Sequence, residues 1–175
     1  MKKAVFLDRD GVINEVLTSR VKFVNEPNQL YFLPGVPEAI KRLNEVFDYI
    51  FVVTNQGGVG LGYMKESKLQ AIHTHMQSEL AKEDAHIQEV AYCPHKPKSG
   101  CDCRKPNSKL IVDLAEKYQV DLSSSYMVGD TDTDIMAGKH AGTKTVFLGT
   151  ADPLADAVFP NLLQATPWII DNIER

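Results

Sequence analysis

The chain carries two acidic runs, each directly behind an apolar one. Asp8-Arg9-Asp10-Gly11 holds two carboxylates one residue apart, and residues 129–134 read GDTDTD. Positions i and i+2 of an extended segment face the same way, so Asp8 and Asp10 can approach one ligand together. Asp and Gly are also ordinary turn residues, and the first run alone could be no more than an acidic turn. The second run shifts that balance. Carboxylates converging from both runs repel one another unless a hard, oxygen-liganded cation lies between them, and Mg²⁺ has that preference. A magnesium ion beside a lysine and a hydroxyl suits a phosphoryl group, whose charge must be neutralised as it transfers. An aspartate can then act as nucleophile and form an aspartyl phosphate.

A second constellation lies in YCPHKPKSGCDCRKP, residues 92–106, which holds all 3 cysteines of the chain. Cys93-Pro-His95 and Cys101-Asp-Cys103 form C-x-H and C-x-C with five residues between them. Three thiolates and one imidazole satisfy tetrahedral Zn²⁺ and leave no position open for water, which makes the expected zinc structural rather than catalytic. The spacings do not match the usual iron–sulfur patterns. A bare, reduced surface loop is the plainer alternative, but this stretch has almost no apolar residues that could hold it in place. Zinc would fold the loop and fix the segment leading into Arg104 and Lys105.

Composition sets the limits. The chain has 175 residues, of which 43% are apolar and 24% charged, with a net charge of -4. That length suits one domain over residues 1–175, with the zinc-binding loop at 92–104 inside it. Neither the charge nor any basic tract favours a nucleic-acid partner. The N-terminus reaches Asp8 after the four apolar residues of AVFL, too few for a signal peptide, and no run approaches the length of a membrane span. The expected compartment is the cytoplasm, whose reducing conditions favour thiolates for metal over disulfides. A monomer is expected.

The elements that must position these residues alternate. Short apolar runs at 4–7, 49–53, 87–93, 125–130 and 143–149 read as buried parallel strands. Between them, 34–47, 65–84, 107–120 and 132–142 read as helices, with Val36, Ile40, Leu43 and Phe47 on one face of the first. The second helix turns Leu69, Ile72, Met76 and Leu80 inward, and His73 is assigned to solvent or to neutral packing. The third is expected to turn Leu110, Leu114 and Ala115 inward, and Gly142 suits the end of the fourth. Residues 15–33 read as a polar arm of variable structure, and the proline-containing tail from Thr150 as packing against the sheet edge through Trp168 and Ile169. The result is an α/β fold: a Rossmann-like parallel sheet with helices on both faces, whose ligands sit at the carboxyl ends of the strands. Asp8, Asp10, Thr54, Asn55, Arg104, Lys105 and Asp130 all fall there.

Four motifs, DRDGVIN, TNQ, RKP and GDTDTD, resemble in order and spacing the signature of the haloacid dehalogenase superfamily of phosphatases, and they account for the chain from Lys3 to about Leu148. The resemblance implies that Asp8 attacks phosphorus and that Asp10, kept protonated for its first role, is general acid and then base. Mg²⁺ would be held by Asp8, the Asp10 carbonyl and Asp130. Thr54 and the Asn55 amide would grip phosphate oxygens, Lys105 would neutralise nucleophile and phosphate, and Asp134 would orient Lys105 or close the outer shell of the metal. No large cap fits between the motifs, so loops must form the substrate rim. The C-P-H…C-D-C-R-K-P loop is similar to that of the zinc-bearing branch, which acts on D-glycero-D-manno-heptose 1,7-bisphosphate or on histidinol phosphate. DRDGVIN and TNQGGVGLGYM lie nearer the heptose form, and the short gap between metal half-sites lies nearer the histidinol form. The expected reaction is hydrolysis of the C7 phosphate of the heptose bisphosphate, with histidinol phosphate or a non-catalytic phosphate-binding module as alternatives. Asn14 and Gln56 are assigned to sugar hydroxyls, and Arg104 to a second phosphate or another substrate oxygen.

Overall fold

The structure is a computed structural model that describes residues 1–173. Its strands are β1 (Ala4–Leu7), β2 (Tyr49–Asn55), β3 (Glu89–Cys93), β4 (Tyr126–Gly129), β5 (Lys144–Leu148) and β6 (Ala157–Phe159). Its helices are α1 (Val36–Asn44), α2 (Glu66–Ala81), α3 (Lys109–Tyr118), α4 (Asp132–Ala141) and α5 (Leu162–Asp171). The strands form one six-stranded sheet in the order β3-β2-β1-β4-β5-β6, and every pairing is parallel.

The period-2 alternation of β1 divides the core. Val5 and Leu7 join a cluster with Ile40 and Leu43 of α1, Ile72 and Met76 of α2, and Leu162 and Ile169 of α5. Ala4 and Phe6 face the opposite way, towards Ile111 and Leu114 of α3 and Ala137 of α4. The sheet is thus covered on both faces, and its strands read as continuous apolar runs because neither face meets water. Chain direction along the sheet reverses at β1: β2 and β3 lie to one side, β4 to β6 to the other. A switch point of this kind opens a crevice at the strand ends, and β1 and β4 deliver Asp8 and Asp130 to it.

One expectation needs correction and two need extension. Residues 15–33 are not simply a polar arm: Val21, Val24 and Leu30 are buried in the main core, and an Asn14–Phe32 bridge returns the segment against residues 13–15. The tail forms a sixth strand and a fifth helix, which the sequence hid because Pro167 lies inside α5 and normally argues against a helix. Ile111 is the fully buried residue at the start of α3, and Leu110 packs half-buried against the same cluster. Gly142 ends α4 at φ 95, as expected, and Trp168 packs edge-on against Tyr126, 6.1 Å between centroids.

Candidate active site

Register fixes the nucleophile candidate. Leu7 pairs with Val52 on one side and Val128 on the other, so Asp8 emerges between two neighbouring strand ends, its amide donating to the Val128 carbonyl at 3.0 Å. Lys105 comes to meet it from 97 residues away. Its ammonium donates to Asp8 Oδ1 at 2.9 Å, Asp134 Oδ1 at 2.6 Å and the Val53 carbonyl at 2.9 Å. Those acceptors match the three donors of an ammonium, so the buried charge is fully hydrogen-bonded. Burial alone would lower the Lys105 pKa, but Asp8 and Asp134 reverse the effect and hold it above its ordinary value. The Asn55 side chain grips the Lys105 backbone at both ends, accepting from its amide at 3.0 Å and donating to its carbonyl at 3.3 Å. Asn55 therefore positions the lysine through its side chain, a role its motif did not reveal.

Asp134 serves two purposes. Its Oδ1 holds Lys105, while its Oδ2 accepts from the amides of Asp130 and Thr131 at 3.2 Å each and from Thr131 Oγ1 at 2.9 Å. Thr131 in turn caps α4, so the acidic loop is pinned to a helix start whose dipole favours negative charge. With every oxygen of Asp134 engaged, orientation of Lys105 is the better description of its role.

The remaining carboxylates suit a cation. Asp8, Asp130 and Asp134 offer oxygens within 4.8 Å of one another, and Asp130 Oδ1 is buried with no hydrogen-bond partner among the described residues. Burial pushes the Asp8 carboxyl up to about 8; Lys105 opposes this, and Asp134 and Asp10 reinforce it. Burial, then Asp134, pushes Asp130 up to about 6. Two carboxyls that resist ionisation side by side are what a hard divalent ion relieves, and Asp8, Asp130 and the Asp10 carbonyl are the oxygens that would hold it. Gly11 makes room for this arrangement: it sits at φ 84, and a Cβ there would lie 1.9 Å from Asp130 Oδ2.

Asp10 has unexpected surroundings. Its Oδ1 accepts from Arg9 Nε at 3.0 Å, Arg9 Nη2 at 2.7 Å and Asn14 Nδ2 at 2.9 Å, and its Oδ2 from Gln56 Nε2 at 3.1 Å. Burial would raise its pKa, but the Arg9 charge and the hydrogen bonds outweigh burial and hold the carboxyl below its usual range. Four donors surround the Asp10 carboxylate, an arrangement that favours its ionised form over the protonated one the resemblance implies for its first role. Asn14 does not reach a sugar hydroxyl, since it is fully buried and its Nδ2 donates to Asp10, whereas Gln56 donates to Asp10 through Nε2 and still lines the adjoining cavity. The sequence missed Arg9 and His73 as well. Arg9 is 1% exposed, and its Nη1 lies 3.1 Å from Nε2 of His73, which is buried on α2 rather than facing solvent. Spacing carried a clue, because His73 falls on the stripe of Leu69, Ile72 and Met76.

The cysteine loop gathers as expected. Cys93 Sγ lies 3.4 Å from His95 Nδ1 and 3.6 Å from Cys101 Sγ, and Cys103 Sγ lies 3.2 Å from His95 Nδ1 and 2.8 Å from Cys93 Sγ. Burial and the adjoining thiols push Cys103 up to about 12. Such crowding is relieved by a cation, and four donors of this kind fit tetrahedral zinc. The loop also holds the glycine-rich turn after β2. Gln56 N donates to the Cys93 carbonyl and Gly60 N to the Pro94 carbonyl, at 2.8 Å each. A Cβ on Gly60 would stand 2.5 Å from the Lys96 nitrogen, so only glycine permits this approach.

Asp8, Asp10, Thr54, Asn55, Arg104, Lys105, Asp130 and Asp134 line one cleft of about 290 Å³. A second cavity of about 250 Å³ shares Asp10, Asn55 and Arg104 with it and continues beneath Phe23, Leu61 and Tyr63. Arg104 Nη1 at their junction is buried and without a partner among the described residues. The structure thus brings together every strand-end residue that the sequence singled out, and it adds loops, not a separate cap, as the rim.

A HAD-hydrolase-like family model matches residues 102–167. The chain is 38% identical to the D-glycero-beta-D-manno-heptose-1,7-bisphosphate 7-phosphatase of Rhodopseudomonas palustris, covering 81% of this chain and 80% of that protein. It is 31% identical to the D-glycero-alpha-D-manno-heptose-1,7-bisphosphate 7-phosphatase of Photorhabdus laumondii, with 97% of each covered. The D,D-heptose 1,7-bisphosphate phosphatase from B. bronchiseptica, whose structure is complexed with magnesium and phosphate, superposes with a TM-score of 0.86 at 31% identity, covering 97% of this chain and 98% of that one.

Proposed function

The chain belongs to the haloacid dehalogenase superfamily of phosphatases, and from that premise we propose that it hydrolyses the C7 phosphate of D-glycero-D-manno-heptose 1,7-bisphosphate, leaving the 1-phosphate. The observation that carries the chemistry is the Lys105 clamp, which holds Asp8 at the end of β1 facing a cleft it shares with Asp130 and Asp10. Asp8 attacks phosphorus and the bond to the C7 oxygen breaks, with Asp10 giving that oxygen a proton. Asp10 takes up this proton from solvent water as the anionic phosphate enters beside it, since added negative charge favours the neutral acid. As a carboxylate again, it takes a proton from water, which attacks the aspartyl phosphate, releases inorganic phosphate and restores Asp8.

Thr54 and the Asn55 amide hold phosphate oxygens, and Lys105 offsets charge on nucleophile and phosphoryl group together. Mg²⁺ on Asp8, Asp130 and the Asp10 carbonyl supplies further charge neutralisation and alignment. Zn²⁺ on Cys93, His95, Cys101 and Cys103 keeps the loop and the glycine-rich turn in place. Arg104, with its unpartnered Nη1 at the cavity junction, takes the second phosphate. The protein acts as a monomer on a small phosphorylated sugar in the cytoplasm, where its thiols stay reduced. Incubation with each anomer of the bisphosphate and with histidinol phosphate, followed by ³¹P NMR of the products, tests the substrate. Loss of the C7 signal with retention of the C1 signal is expected, and turnover of histidinol phosphate alone would refute the assignment. Asp8→Asn should abolish phosphate release.

A further inference from the structure

We infer that His73 is a positioning residue for the acid–base step, taking the phosphatase reaction above as premise: by accepting from Arg9 it locks the guanidinium that orients the Asp10 carboxylate. No motif marks it, and it touches neither substrate nor the cation-binding oxygens.

The geometry runs as a chain of contacts from helix to strand end. Arg9 sits between Asp8 and Asp10, is 1% exposed and heads the fully buried side chains by volume. A guanidinium has five N–H groups and no acceptor, and removed from water it needs partners on each side. Arg9 Nε and Nη2 both converge on one oxygen, Asp10 Oδ1. That is a side-on contact rather than a two-oxygen fork, so it leaves the tilt of the guanidinium open. The remaining terminal nitrogen, Nη1, is where the tilt is fixed, 3.1 Å from His73 Nε2. Because arginine can only donate, His73 Nε2 is the acceptor and the imidazole is neutral with its proton on Nδ1. Burial, helped by the Arg9 charge, holds the imidazole down to about 3, in keeping with that state.

His73 is an odd choice for packing alone. It lies among Leu69, Ile72, Met76 and Leu80 on the buried stripe of α2, where an aliphatic residue would bury without desolvating a polar ring. Its ring is also set beside Tyr92, at 5.8 Å between centroids, and the Tyr92 hydroxyl donates to Glu66 at the start of the same helix at 2.8 Å. The imidazole is therefore flanked by Tyr92 on one side and meets Arg9 through Nε2. Asn14 and Gln56 complete the cradle of Asp10, but both are neutral amides, so Arg9 supplies its only cation contact among the described residues.

The test compares His73→Leu, which fills the space without an acceptor, with His73→Gln, whose amide oxygen can replace Nε2. On any phosphomonoester that the protein turns over, His73→Leu should lower kcat by about tenfold with KM almost unchanged, since misorienting an acid–base group by a fraction of an ångström forfeits part of a contribution of order a hundredfold or more. His73→Gln should recover most of that loss. The Arg9 Nε–H resonance reports independently of turnover: its hydrogen exchange should quicken in His73→Leu and stay slow in His73→Gln. Equal kcat loss in both variants, no loss in either, or unchanged Arg9 exchange in His73→Leu would overturn the inference. If the wild-type protein hydrolyses no phosphomonoester, the proposed function fails and the exchange comparison alone decides the role of His73. Should His73→Leu not fold, His73→Met supplies the same comparison.

Discussion

Lowering the pH from 7 to 5 should destabilise the fold through His73 by an amount the structure allows to be worked out. Burial, then the charge of Arg9, depresses the imidazole from 6.5 to about 3, against a small opposing pull from Asp10. In the unfolded chain the same ring protonates near pH 6.5, so between about 3 and 6.5 the unfolded state binds the extra proton. Stability from the neutral ring is therefore present above the unfolded pKa and is lost as pH falls. At pH 5 the difference is roughly 1.5 pH units of free energy, about 2 kcal/mol at 1.36 kcal/mol per unit, and most of it appears below pH 6.5. Other groups titrate over this range, but they are common to wild type and His73→Gln, so the difference between the two proteins isolates the histidine. Urea unfolding of both at pH 7, 6 and 5 gives the two stability curves. Wild type should lose about 2 kcal/mol more than His73→Gln between pH 7 and 5, with equal m-values. Parallel curves would mean that the ring titrates normally in the folded protein and is not sealed against Arg9.

Lys105→Met keeps the length of the side chain but leaves Asp8 and Asp134 without their shared cation. Breaking one side of a buried pair costs about 3–5 kcal/mol, so thermal unfolding should shift sharply downwards and phosphate release should vanish. Stripping zinc with a chelator should open residues 93–105 and the 56–60 turn to hydrogen exchange together, because Gln56 and Gly60 donate to carbonyls of that loop; zinc should restore protection and magnesium should not. Gly60→Ala should weaken zinc retention and raise KM more than it lowers kcat, since the added methyl meets the Lys96 nitrogen and the Pro94 carbonyl rather than the catalytic carboxylates.

The sequence by itself determined which polar residues gather at the strand ends and their order along the chain. Asp8, Asp130 and Lys105 were legible because each follows a recognisable apolar strand or the tight cysteine loop, and a parallel sheet must deliver strand ends to one edge. The gathering of Cys93, His95, Cys101 and Cys103 was legible because all four lie within a short span, where spacing alone nearly fixes proximity. The continuous apolar run Ala4 to Leu7 likewise announced a sheet covered on both faces, and the structure divides it between two core clusters. Tertiary structure alone decided the direction of the polar side chains. Asn14 and Gln56 sit in loops, which have no period that predicts where an amide points; Gln56 reaches Asp10 because β1 and β2 end side by side, and Asn14 because the chain folds back on Asp10 four residues on. The sixth strand and α5 stayed hidden because local propensity around Pro167 opposes a helix, whereas burial of Leu162, Ala165 and Ile169 against the sheet favours one. Arg9 and His73 are 64 residues apart and share no pattern. Their contact exists because α2 shares the core cluster of β1, and a buried guanidinium, cut off from water, must find its acceptors among whatever the fold brings near.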